Sequence, residues 1–271
     1  MAIDVGRLAR VDPGIGEIRG GMGVSEVTPP SIERRIAPLL RDDRLHIGIL
    51  MENADPIRSP DEMAWWQERG VVAVGLTWGR SSRYATGNAV DDDNREGLSD
   101  LGREMVRVMD DLGVVHDLSH LSQAATEELL TLTDARVMAS HTNCRALLGG
   151  VNQRHLTDEA IIEIARRGGI IGLNLARNFI RHTLEGRERP SVDEAIRHVE
   201  RVCFLTGHKR AVGLGSDMDG GFSALDMCEG IECPADLVRL AEALSQRGWS
   251  DEEVKGFMWG NWMRFWAESG S

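Results

Sequence analysis

The chain has 271 residues, enough for one large α/β domain or two small ones. Its 42% hydrophobic and 27% charged residues are a globular balance, which excludes a disordered or fibrous chain. A net charge of −12 argues against nucleic-acid binding, because neutralising phosphates needs a basic face.

In chain order, residues 17–27 (EIRGGMGVSEV) read as a weak first strand and 31–40 as the helix after it. Six stronger apolar runs follow, at 46–52, 71–78, 113–120, 136–143, 168–176 and 211–220. They are rich in Val, Ile and Leu and nearly continuous, as strands buried on both faces are. Amphipathic stretches separate them. In 99–112, Leu101, Met105, Val108, Met109 and Leu112 share one helical face. Thr157 is placed to cap the next helix, with Asp158 and Glu159 in its first turn and Gly168-Gly169 as its stop. Further helices are predicted at 192–205, 235–247 and 251–266, and 181–190 reads as a long surface loop. The βαβα alternation predicts a single parallel α/β domain over 1–271. Seven candidate strands leave an eight-stranded barrel one short.

No apolar run approaches the ~18 residues of a membrane span. Residues 1–16 lack a signal-peptide core, and 266–271 carry no hydrophobic tail for a lipid anchor. Cys144, Cys203, Cys228 and Cys233 are scattered and form no disulfide framework. Cys228 and Cys233 are a weak metal signal without a second pair. The expectation is a cytoplasmic protein with reduced thiols and no membrane or nucleic-acid partner.

Several strand ends carry residues suited to metal or acid–base chemistry. Glu52 ends one run, His120 another, and His141 and Asp217 lie near the ends of two more. In a barrel the strand C-terminal ends converge on one face, where active sites are built. Two imidazoles and a carboxylate are a common catalytic zinc set with a position left open for water. Alternation puts His116 on the same side of an ideal strand as His120, so His116 stays an alternative ligand. Asp219 is likewise an alternative to Asp217, and both sit in a turn-prone SDMDGG stretch. His46, His155, His182, His198 and His208 have no partner spacing and read as surface residues.

The stretches LMENADPI (50–57), VVHDLSHLS (114–122), 136–174, AVGLGSDMDGG (211–221) and the tail 247–266 together resemble the membrane (renal) dipeptidase family of metallopeptidases. His120 and His141 stand 21 residues apart, as that family's metal-binding histidines do. The resemblance covers roughly 20–266 and implies a (β/α)8 TIM-type barrel that hydrolyses dipeptides, often with a D-residue at the C-terminal position. It implies that Glu52, His120 and His141 hold zinc and that Asp217 is the acid–base carboxylate. Arg154 pairs with the substrate carboxylate on this resemblance; read from the sequence alone it is equally a solvated loop arginine. The partner is a small dipeptide, and a homodimer is compatible with this reading.

Two positions depart from the family pattern. The family's first strand carries a His-x-Asp pair for a second zinc, and none occurs before Glu52. If 3–5 is a remnant of that strand, the ligand positions fall near Gly6 and Leu8, which bind no metal. Either a preceding segment lies outside this chain or the second site is lost, so one tightly held zinc per chain is expected where the family has two. Trp78 stands where mammalian relatives have a substrate-contacting histidine, although its indole N–H can still donate one hydrogen bond. The competing readings are another amidohydrolase-type enzyme acting on lactones or N-acyl amino acids, and a truncated, inactive barrel.

Overall fold

The computed structural model describes residues 47–90 and 96–268. The strand expected at 17–27, the helix at 31–40, the 3–5 segment with Gly6 and Leu8, and His46 lie outside the described residues.

Six strands form one parallel sheet in sequential order: β1 (Ile49–Glu52), β2 (Val71–Gly75), β3 (Val115–Asp117), β4 (Val137–Thr142), β5 (Ile170–Leu173) and β6 (Val212–Leu214). Every crossover therefore steps the same way around the sheet. A doubly wound sheet reverses at a switch point; an α/β barrel does not. Among the described residues β1 and β6 are the two edges.

Successive strand side chains serve two cores. Val74, Val137, Ala139, Ile171 and Val212 pack outward under the helices. Ala73, Val115, Met138 and Ile170 point the other way and meet Phe265, with Trp262 and Trp266 against them. Those aromatics belong to one helix, so among the described residues the second face is filled by a plug and not by a second helical layer. This is the packing of a barrel floor. Gly213 makes room for the plug, because a Cβ there would lie 2.6 Å from Trp262 Nε1. That indole N–H donates to the Leu214 carbonyl at 2.8 Å.

The helices are α1 (Met63–Glu68), α2 (Asp100–Leu112), α3 (Gln123–Leu132), α4 (Asp158–Arg166), α5 (Arg177–Ile180), α6 (Val192–Thr206), α7 (Val238–Gln246), α8 (Asp251–Lys255) and α9 (Asn261–Glu268). Ser99, Ser122, Thr157 and Ser191 each accept a hydrogen bond from the backbone N–H three residues on, which caps α2, α3, α4 and α6. Such caps are worth about 1 kcal/mol each. The face expected in α2 is the packed one: Met105 and Met109 are fully buried, and Leu101, Val108 and Leu112 are partly so. Helices α1, α3 and α5 have no counterpart among the helices expected from the sequence. Two other expectations are corrected. The helix placed at 235–247 begins at Val238, because Pro234–Leu237 forms a 3-10 turn. The helix placed at 251–266 is broken by a π-helical turn, Gly256–Gly260. Just past it, the Asn261 side chain donates to the Lys209 and Val212 carbonyls and grips β6. Residues 181–190 hold no helix or strand, as expected of a surface loop. Among the described residues no helix is long and apolar enough to cross a membrane.

Candidate metal centre and active site

Strands β2, β3 and β6 stop three residues before Trp78, His120 and Asp217. These residues therefore sit in the turns above the sheet and not on the strands, as the longer predicted runs had placed them. His120 and Asp217 both adopt left-handed backbone, with φ of 69° and 57°. Such values are uncommon outside glycine and concentrate at functional turns. His120 is held there through its carbonyl, which accepts from Thr77 Oγ1 at 2.9 Å and from the Asn88 backbone N–H at 2.9 Å. The left-handed turn breaks the strand alternation that made His116 an alternative. His116 points instead to α2, with Nε2 2.7 Å from Asp110 Oδ1.

Glu52, His120 and His141 come together at the strand ends, with one ligand atom of each lying within 4.8 Å of the others. Glu52 Oε1 is 3.0 Å from His120 Nε2 and 3.2 Å from His141 Nε2, and the two Nε2 atoms are 2.9 Å apart. Ligands of a tetrahedral ion bound at about 2.1 Å stand about 3.4 Å apart, a few tenths of an ångström wider than these separations. Both imidazoles present Nε2 to the cluster and tie up Nδ1 elsewhere. His120 Nδ1 lies 3.3 Å from Asn88 Oδ1, and His141 Nδ1 lies 2.7 Å from Ser140 Oγ. Burial acts to raise the Glu52 pKa, but hydrogen bonds from His120 and His141 and their charge hold it well below the usual carboxylate range. Burial likewise pulls the His120 pKa down, against the pull of Glu52. One carboxylate and two imidazole nitrogens suit a zinc-type divalent ion and leave a coordination position free.

Glycines set the position of His141. The β4–β5 register slips between Ala139 and Thr142, so β4 bulges at Ser140 and His141. The bulge pushes the Ser140 carbonyl toward β5 and β6. A Cβ on Gly172 or Gly215 would lie 1.9 or 2.0 Å from that oxygen, so only glycine fits at either position.

Arg154 is buried, at 5% exposure, which removes the solvated-loop reading. Its Nη2 donates to the His141 carbonyl at 2.9 Å, while its Nε has no hydrogen-bond partner. Burial lowers its pKa to about 10, opposed by the charges of Asp217, Asp117 and Glu52. Asp217 Oδ2 accepts from Asn174 Nδ2 at 2.8 Å. Gly220 fits beneath it, since a Cβ there would lie 2.1 Å from Asp217 Oδ1. Asp219, its sequence alternative, is exposed. Trp78 is 54% exposed, with its ring centre 5.9 Å from that of His120, at the rim of the cluster. Asn174 is not among the residues expected at the site; its one local signal is an amide near the end of an otherwise apolar run.

Two histidines read as surface residues are core residues. His155 is 1% exposed and packs edge-on against Phe179, with neither ring nitrogen hydrogen-bonded. His198 is 2% exposed and spans two backbone groups: its Nδ1 accepts from the Cys144 N–H and its Nε2 donates to the Ile180 carbonyl. Neutral imidazole is small enough to bury where donor and acceptor face it. All four cysteines are free, and Cys228 and Cys233 belong to no metal-binding group among the described residues.

A crystal structure of a metallo peptidase from Rhodobacter sphaeroides, liganded with a phosphinate mimic of the dipeptide L-Ala-D-Ala, superposes with a TM-score of 0.73. The two are 26% identical, over 82% of this chain and 63% of that one. A second metallo peptidase, a dipeptidase of family M19, gives a TM-score of 0.74 at 26% identity, over 82% of this chain and 65% of that one. Among curated relatives, the dipeptidase aclJ of Aspergillus oryzae is 29% identical over 85% of this chain and 51% of its own length. An uncharacterised dipeptidase of Schizosaccharomyces pombe is 30% identical over 64% of this chain and 40% of its own length. The chain thus spans about half the length of these curated relatives. The family model for membrane dipeptidases matches residues 33–270, which takes in the donor cluster, Arg154, Asp217 and the barrel floor, and the chain belongs to that family, peptidase family M19.

Proposed function

We propose that this chain is a zinc-dependent dipeptidase, a single barrel domain that holds one ion per chain on Glu52, His120 and His141. The observation that carries the reading is the convergence of those three donors beside a buried guanidinium whose Nε is unpaired. Among the described residues they are the one such group. When bound, zinc acidifies a water and polarises the scissile carbonyl. Asp217, fixed by Asn174, takes a proton from the attacking water and passes it to the leaving amine. Arg154 pairs with the substrate's C-terminal carboxylate, since a buried guanidinium favours an anion with two oxygens. Trp78 covers the rim and offers its indole N–H to the substrate. A C-terminal D-residue fits this reading, given the L-Ala-D-Ala mimic bound by the Rhodobacter relative. The free cysteines suit a reducing compartment, and we place the protein in the cytoplasm.

The test is hydrolysis of L-Ala-D-Ala together with metal content per chain. The wild type is expected to carry about one zinc and to lose activity on chelation. Asp217→Asn should lower turnover by about 10²–10⁴-fold with zinc retained, the usual worth of a general acid–base group. Full turnover in that variant, or a metal-free active enzyme, would refute the proposal.

A further inference from the structure

The DLSH and ASH stretches bring other polar groups to the site besides their two histidines. Asp117, at the end of β3, is 2% exposed and bonds to Ser140, the residue before His141. Its Oδ1 accepts from the Ser119 N–H at 3.0 Å and the Ser140 N–H at 2.9 Å. Its Oδ2 accepts from the Ser140 hydroxyl at 2.5 Å. Ser140 Oγ also lies 2.7 Å from His141 Nδ1 and 3.3 Å from Ser119 Oγ. A hydroxyl has one proton and two acceptor sites. The carboxylate can only accept, so the Ser140 proton goes to Asp117. Ser140 Oγ is then left an acceptor, and the bond to His141 must run from an Nδ1–H. With its proton on Nδ1, His141 offers the Nε2 lone pair to the side where Glu52 and His120 stand.

We infer that Asp117 and Ser140 form a positioning relay that fixes the Nδ1–H tautomer and the ring orientation of His141 for metal binding. The inference rests on the reading of Glu52, His120 and His141 as the metal site. The relay acts through proton direction and not through packing alone. Asp117→Asn keeps the shape and the Oδ1 acceptor, but its amide donates to Ser140 Oγ. The Ser140 proton is then free to turn toward His141 Nδ1, which favours the tautomer with Nε2 protonated and unable to bind metal. Ser140→Ala removes the link outright. Neither residue needs to touch substrate.

Zinc affinity measured by competition with a chromophoric chelator tests this, alongside the melting temperature of the metal-free protein. His141→Ala is the control and should abolish tight binding. Asp117→Asn and Ser140→Ala should each weaken zinc binding by about 10–100-fold, the usual effect of losing a partner behind a ligating histidine. The double variant should be no weaker than the worse single one, because the two residues act in series. If His141→Ala loses zinc while Ser140→Ala stays within about twofold of wild type, the relay is wrong and the metal site stands. Effects that multiply in the double variant would also overturn it. If His141→Ala binds zinc normally, the metal-site reading itself fails. Ser140→Ala removes only one hydroxyl, so it decides the matter even if Asp117→Asn does not fold.

Discussion

Substituting Gly172 by alanine probes how closely β4 is held against its neighbours. The added Cβ would lie 1.9 Å from the Ser140 carbonyl oxygen, 2.8 Å from its carbon and 2.9 Å from Gly215 Cα. Those atoms are backbone, so no rotamer change relieves the clash. Restoring an ordinary contact needs the Ser140 carbonyl to retreat by about 1.5 Å, and overpacking of this kind costs about 1–3 kcal/mol. For a chain of this size that is a fall in melting temperature of roughly 2–12 °C. The same peptide carries the His141 nitrogen, so the retreat carries a candidate ligand with it. Metal sites tolerate only about 0.2 Å in ligand position. Zinc affinity should therefore fall at least about tenfold, more than the stability loss alone would suggest. Gly79→Ala is the control, because its Cβ would sit 3.5 Å from Ala89 Cβ in ordinary contact. The assay is thermal unfolding of the metal-free protein with zinc competition on the same samples. A Gly172→Ala variant with wild-type melting and wild-type zinc affinity would show that β4 does not depend on this glycine for its course.

Arg154→Lys keeps the charge but loses the two-pronged geometry; KM for a dipeptide should rise about tenfold or more with kcat little changed, and the preference for a free dipeptide over its C-terminal amide should shrink. Asp219→Asn should leave turnover and zinc content within about twofold of wild type, because Asp219 is exposed and Asn174 holds Asp217 instead; steady-state kinetics beside Asp217→Asn decides between the two carboxylates. Burial lowers the His198 pKa from 6.5 to about 4, so the unfolded chain takes up a proton that the folded one refuses. Stability fully present above pH 6.5 is then lost as pH falls toward 4, by about 3 kcal/mol at about 1.4 kcal/mol per tenfold in proton concentration. Denaturant unfolding between those pH values should show that slope, and His198→Gln should flatten it.

Elements whose causes are local could be read directly from the chain. Each of the six strong apolar runs contains a strand, and β2 to β6 are largely buried, as a strand covered on both faces needs a continuous apolar stretch; β1, at the sheet edge among the described residues, is largely exposed. Thr157 caps the helix expected after it, since a cap is satisfied by a backbone N–H three residues away. The pairing of Glu52, His120 and His141 was legible because strand ends of a parallel barrel share one face. What tertiary structure alone decided is whatever depends on contacts between distant segments. His120 and Asp217 leave the strand period for left-handed turns, one of them pinned by Thr77 and Asn88 from another loop. The bulge in β4 fits because Gly172 in β5 and Gly215, just past β6, leave room for the Ser140 carbonyl, and no pattern within β4 announces it. His155 and His198 look like surface residues because a lone imidazole has no period. Only the fold brings the Cys144 N–H and the Ile180 carbonyl to either side of His198. Asn174 and the Asp117–Ser140 pair were hidden for the same reason: a hydrogen-bond partner tens of residues away leaves no mark on local spacing, and backbone pairing across the sheet is what brings the two groups to bonding distance.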